Sequence, residues 1–482
     1  MPPTIAWSAG LADCIALVRA FGSGIPEVLR WVAAAGAELD LSLFAACLVF
    51  LVPAGLTMIA TGASDRKWAP TVASVGLVAL GLGIVVFVVI GFGLQFGGLG
   101  LVSDLEGARD LRSEWSPADL VWGPGWGLIG LDGFVVIDDS LEPGLAEVLL
   151  YYGALSATAL CIPMLALARR LRFMALLGVG LAFAVLVVPV YGNWVWGGGY
   201  LSQLGVTTGL GHGFVDFAGS GAVHALGGFF ALAAILVFGA QSRSLEVAAE
   251  PPSTHFPLIA LLGSFLLLPG WFGVVAGNPL APNGMSYGPI VLNLVLAGCG
   301  GILVSSLYVW FVRGGPDLLM VSRGLVASLV AISASCPFVS AWAALAIGSI
   351  AGLLLPLSVY LFDARLRLDD YSCAVATHGI SGLWGLLAVG VLADGSAGVG
   401  WNGVGATQYL GVDGQGVSGL LVGSGVAPDW PGQLAAQAVG ILALLLLSLG
   451  LCWLALYALN SLSRRMVELR SGLRESGDSD SA

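Results

Sequence analysis

His224-Ala225-Leu226-Gly227-Gly228 and His378-Gly379-Ile380-Ser381-Gly382 read alike, and each lies inside a long uncharged apolar stretch. An ionisable side chain at bilayer depth is expensive, so each histidine marks a functional site. Two in matched surroundings predict one site assembled from both halves of the chain.

The surroundings decide the class. The 482 residues are 57% hydrophobic and 10% charged, with a mean hydropathy of +0.94. That leaves too little polar surface for a soluble globule and predicts an all-α integral membrane protein. Apolar runs near 39–61, 70–94, 146–168, 173–192, 217–240, 257–276, 289–312, 324–341, 343–362, 371–393 and 432–460 give eleven candidate transmembrane helices. Each approaches the ~20 residues needed to cross the hydrocarbon core. The domain organisation expected is an extracytoplasmic or interfacial segment 1–38, a membrane domain 39–460 and a cytoplasmic tail 461–482. The first segment lacks the basic start of a secretory signal, and Asp13 and Arg19 interrupt its apolar part.

The net charge of −11 reflects acids between Asp104 and Glu147 and at both ends. No basic patch is present to neutralise phosphates, which excludes nucleic acid as a partner. The seven cysteines are scattered and predict neither a disulfide frame nor a zinc site, and no cofactor is implied. With the first run entering from outside, 14 of the 18 basic residues face inward, leaving Arg19, Arg30, Arg109 and Arg112 outside. This asymmetry puts the N-terminus outside and the C-terminus in the cytoplasm of a multi-pass plasma-membrane protein. Segments 97–145, 193–215 and 394–427 then face outward together, as a vestibule or as plain connectors. The 71 glycines mainly let helices approach closely.

Trp194-Val195-Trp196-Gly197-Gly198-Gly199 and Asp216-Phe217-Ala218-Gly219-Ser220-Gly221-Ala222-Val223-His224 resemble the signature of the ammonium transporter branch of the Amt/Rh family. Gly270-Trp271-Phe272-Gly273, Asp369-Asp370 with His378-Gly379, and Pro53-Ala54-Gly55-Leu56 agree with it. The resemblance implies eleven transmembrane helices, as two inverted five-helix repeats plus a long final helix, assembled as a homotrimer with one pore per subunit. It implies an ammonium recruitment site outside and a narrow apolar pore lined at its midpoint by His224 and His378. It also places a cytoplasmic nitrogen-regulatory protein among the possible partners of the tail.

The residue types suit that task. An isolated ammonium ion in a low-dielectric pore costs several to tens of kcal/mol, whereas neutral ammonia avoids that barrier. A neutral imidazole offers one donor and one acceptor and is able to relay a proton. Trp196 is the recruiting residue expected for ammonium or methylammonium, through its π face; the plain alternative is an interfacial belt aromatic. Asp216 either binds the cation directly or caps its helix, and the resemblance implies the second, a structural acid. His212 and His255 are expected to be ordinary surface residues in an outer and an inner loop.

The chain departs from the family pattern at the pore entrance. Two phenylalanines usual there align with Leu155 and Val274, beside Phe272, which predicts a wider and wetter mouth. Tyr151, four residues before Leu155 on the same helix face, fills part of that gap. The serine that commonly helps hold the ion aligns with Asn278, so recruitment is expected from Trp196, Asn278 and Tyr151. An acid usual five residues before the second histidine is Cys373. The function expected is a non-enzymatic ammonium transporter or channel that passes ammonia, with or without a relayed proton. The alternative is an ammonium sensor with little flux. A hydrolase is disfavoured, since no nucleophile–base motif or metal-ligand spacing occurs.

Overall fold

The computed structural model describes residues 41–463 other than 104, 106, 118–124, 136–142, 240–256, 282–284 and 316. The expected segment 1–38, His255 and tail residues 464–482 lie outside the described residues. In chain order the main helices are α1 (Leu43–Gly62), α2 (Ala69–Leu101), α3 (Gly144–Leu167), α4 (Phe173–Trp196), α5 (Ser220–Phe238), α6 (Pro257–Ala276), α7 (Tyr287–Arg313), α8 (Leu318–Ser333), α9 (Ala341–Arg365), α10 (Ala374–Leu392) and α11 (Gly432–Ser463). Ten of them are long and apolar enough to cross a membrane; α8 is apolar but has only 16 residues. Strand among the described residues is confined to two short ribbons, Glu114–Trp115 with Ile129–Gly130 and Gln408–Tyr409 with Val412–Asp413.

Helix α8 begins six residues before the apolar run expected at 324–341, and the reason is local. The Asp317 carboxylate accepts from the Leu319 and Met320 backbone N–H groups at 3.0 and 3.1 Å, an N-cap that hydropathy does not register. At the other end Pro337 disfavours helical geometry at Cys336, and the chain leaves the helix at Ser333.

The last helix, α11, is long, at 32 residues. Helices α1 and α6 pack extensively against each other. There a Cβ added to Gly55 would stand 2.7 Å from the Gly263 carbonyl oxygen, and one added to Gly263 would stand 2.7 Å from that of Gly55. The two backbones touch, as helices in lipid do when no hydrophobic force drives them together. The most enclosed spans are α3, α5 and α10, at 94, 83 and 72% buried over their most apolar windows, against 28% for α11. Both histidines therefore sit on the innermost helices.

Candidate functional site

Helices α5 and α10 start by the same device. Asp216 precedes His224 by eight residues, and Asp370 precedes His378 by eight. The Asp216 carboxylate accepts from the N–H groups of Gly219 (3.0 Å), Gly221 (2.9 Å) and Ala222 (2.8 Å). That of Asp370 accepts from Ala374 (3.0 Å), Val375 (2.8 Å) and the Ser372 hydroxyl (3.1 Å). Each carboxylate satisfies orphan donors of a helix start and sits at its positive end. Burial pushes the Asp216 carboxyl up to about 6, against the opposite pull of those backbone donors. The residue before each start is left-handed, Gly219 at φ 92° and Cys373 at φ 55°. Each histidine then rides on a π-helical turn, Ser220–Ala225 or Ala374–Ile380, a geometry frequent at functional sites.

The two turns bring the rings together. His224 Nδ1 lies 3.1 Å from His378 Nδ1, with ring centroids 5.1 Å apart and planes 13° from parallel. One Nδ1 must therefore carry the hydrogen and the other accept it. In the neutral pair the remaining nitrogens then differ: the Nε2 of the donating ring is bare, and that of the accepting ring bears a hydrogen. The pair thus presents one acceptor and one donor to a small polar guest. Trp271 stacks on the far face of His224, 5.1 Å away at 9°, and its indole N–H donates to the Ser333 hydroxyl at 2.9 Å.

The end of α8 at Ser333 marks one mouth. Ala218 N–H donates to the Ser333 carbonyl at 3.0 Å, and the Asp216 carbonyl accepts from the Trp196 indole N–H at 2.8 Å. The half-buried Trp196 ring lies 5.1 Å from Tyr152. Tyr152 in turn meets Phe96 at 4.8 Å and Tyr151 at 4.9 Å. Asn278 joins this group: its oxygen accepts from Leu280 N–H at 3.0 Å and from the Tyr152 hydroxyl at 3.3 Å, while its amide donates to the Phe217 carbonyl at 3.0 Å. Both hydrogen bonds to that oxygen come from within the protein, and they tie Asn278 to the Tyr152 ring beside Trp196.

At the entrance Leu155 and Val274 are buried rather than wetted, 3% and 2% exposed, and the Tyr151 hydroxyl crosses from α3 to donate to the Val274 carbonyl at 2.6 Å. Phe272 is half-buried against the core, and it is its neighbour Trp271 that reaches the histidines.

On the other side of His378 lies a cavity of about 30 Å³, lined mainly by aliphatic side chains together with Thr377, Ser372 and Arg323. Arg323 stands ten residues before Ser333 on α8, about 15 Å away along the helix. The cavity therefore lies toward the end opposite Trp196.

His212 was expected at the surface and is instead buried, with its ring 4.3 Å from that of Tyr409. Its N–H donates to the Gln433 side-chain oxygen at 2.9 Å, and its carbonyl accepts from the Asn402 amide at 2.9 Å. The Gly-rich loop folds over it and seals it against α11, which loop composition alone does not reveal.

Sequence reasoning missed Asp370 as the counterpart of Asp216, Tyr152 as the ring beside Trp196, and Trp271 as the platform under His224. The repeated eight-residue spacing was a readable signal for the first. The other two depend on which face of a helix turns inward, and uniformly apolar helices do not show it.

Comparison with known proteins gives the setting. A model of the Ammonium Transporter Family matches residues 41–474. The chain is 33% identical to ammonium transporter Amt2 of Archaeoglobus fulgidus over 73% of its own length and 70% of the relative. It is 29% identical to an ammonium transporter of Bacillus subtilis, over 73% of this chain and 79% of that one. Among solved structures, a sensor Amt protein aligns with a TM-score of 0.70 at 28% identity, covering 88% of this chain and 93% of that chain. Candida albicans Mep2 aligns with the same TM-score of 0.70 at 23% identity, over 87% and 83%, a likeness of fold. With paired histidines on mirrored helix starts and a family match spanning nearly every described residue, the chain belongs to the Ammonium Transporter Family.

Proposed function

We propose that the protein transports ammonium across the membrane by capturing the ion at the Trp196 mouth and passing ammonia between His224 and His378. The 3.1 Å contact between the two imidazoles carries this reading, because it places one acceptor and one donor where an ammonia molecule needs both. Trp196 offers a π face to a cation beside the helix start held by Asp216, and Tyr152 and Tyr151 close the mouth above the apolar segment of Leu155, Val274 and Phe272. Asn278 acts as the joint that fixes Tyr152 to the Phe217 backbone.

On this reading the Trp196 mouth opens to the outside of the plasma membrane and the Arg-rich ends face the cytoplasm, following the basic-residue asymmetry. The membrane domain spans 39–460, and the tail offers a surface to a regulatory protein. The weakly enclosed α11 leaves apolar area for lipid and for neighbouring copies in a homotrimer. The role is that of a transporter or channel, with no bond broken in a substrate except that between nitrogen and a proton.

The test is an ammonium pulse applied to reconstituted liposomes, with interior pH and current recorded for the parent and for His224→Ala. A parent signal above empty liposomes that falls or changes charge selectivity in His224→Ala supports conduction. A solved relative is a sensor Amt protein, which is consistent with the alternative of sensing. Ammonium binding without flux in either protein would decide for that alternative.

A further inference from the structure

The cavity beside His378 holds a charge that an ammonium path does not need. Arg323 is 6% exposed and lines this cavity together with His378, while no carboxylate does. One terminal nitrogen donates to the Tyr371 carbonyl at 2.6 Å, which fixes the guanidinium in place. Its Nε has no partner among the described residues, and no carboxylate there forms an ion pair with it. Asp363 is close enough to feel its field, but the Asp363 carboxylate accepts from Asp370 N–H at 3.1 Å and lies outside the lining. The basic neighbours are handled differently. Arg169 reaches Asp65 at 3.4 Å, and Arg170 reaches Asp369 at 3.7 Å and several carbonyls. Arg323 alone of these three points its charge at the conduit.

A guanidinium stays protonated at any working pH. Fixed at a small, mostly apolar chamber whose lining holds no carboxylate, its charge is offset only from outside that lining, by Asp363, and its field in the chamber repels cations. Neutral ammonia, which has no net charge, passes it freely.

We propose that Arg323 is a specificity-determining residue, a fixed positive barrier at the inner end of the conduit that bars ammonium and any accompanying proton, so that transport carries no net charge. Ammonium then leaves its proton in the outer water, ammonia crosses, and a proton from the inner water restores ammonium, which balances atoms and charge. The proposal rests on the transport reading above and adds the charge state of what crosses.

The experiment measures charge moved per ammonia in liposomes, from capacitive current and from the total ammonia taken up under the same ammonium chloride pulse, with interior alkalinisation recorded beside them, for the parent, Arg323→Gln and Arg323→Lys. Alkalinisation with almost no current is expected of the parent. Arg323→Gln, which keeps a donor for the Tyr371 carbonyl, is expected to raise charge per ammonia at least tenfold, and Arg323→Lys to stay near the parent. A parent that already moves one charge per ammonia overturns the barrier without any variant. Equal ratios in parent and Arg323→Gln overturn it as well. Should the parent move no ammonia, the transport reading falls, and the barrier is then judged by Arg323→Gln alone: an ammonium current that appears supports it, and silence removes it.

Discussion

His212 shows how far one side chain can depart from its apparent place in a loop. Enclosed by Tyr409 and the Gln433 region, its ring nitrogens have no partner among the described residues. Burial lowers its pKa from the ordinary 6.5 to about 4. A base depressed in the folded state stabilises the protein above its unfolded pKa, and that contribution is lost as pH falls from 6.5 toward about 4. The amount at stake is about 3 kcal/mol, taking ~1.4 kcal/mol per pKa unit. Thermal melts of the purified protein between pH 7 and pH 4 should therefore show His212→Gln with a flatter acid limb than the parent, about that much less stability being lost. Identical limbs would show that the ring gains a proton partner in solution. His224 and His378, by contrast, declared themselves in the sequence. A charge-capable residue within an apolar run stands out against its neighbours, whereas one in a glycine-rich loop does not.

Helices were legible where hydropathy alone sets their limits and were displaced where a single carboxylate does. The span expected at 371–393 begins at Ala374 because Asp370 collects the first donors, and the one expected at 217–240 begins at Ser220 for the same reason at Asp216. Capping thus fixes the depth of each histidine, and the crossing of α5 with α10 fixes their separation. At that crossing Gly228 lies against the Gly379 backbone with no room for a side chain. Gly228→Leu should push the helices apart, cost about 1–3 kcal/mol of stability by overpacking, and reduce ammonia flux in liposomes more than tenfold by opening the histidine contact. Retained flux with a lowered melting temperature would mean that the two rings tolerate separation. The entrance was the least legible part. Leu155 and Val274 suggested a gap; the i, i+4 spacing showed that Tyr151 stands beside it, but not that its hydroxyl bonds the Val274 carbonyl, 123 positions away.

Seen entire, the molecule repeats one construction twice. Aspartate, left-handed residue, π turn and histidine recur in order in α5 and α10, although the left-handed position is glycine in one and Cys373 in the other. The resemblance in five residues around each histidine was therefore the visible part of a longer correspondence. What the sequence did not show is how tightly the two halves are joined. Where Gly55 and Gly263 face each other, main chain rests on main chain, with Leu267 and Met58 packed just as closely beside them. Many transporters built from repeated halves open alternately to each side by tilting one half against the other. A seam this close resists such a tilt, so the protein should behave as a fixed filter with no turnover cycle. Flux measured from 5 to 35 °C should climb as gently as permeation through a static channel; a steep rise would reveal a moving gate that the seam does not restrain.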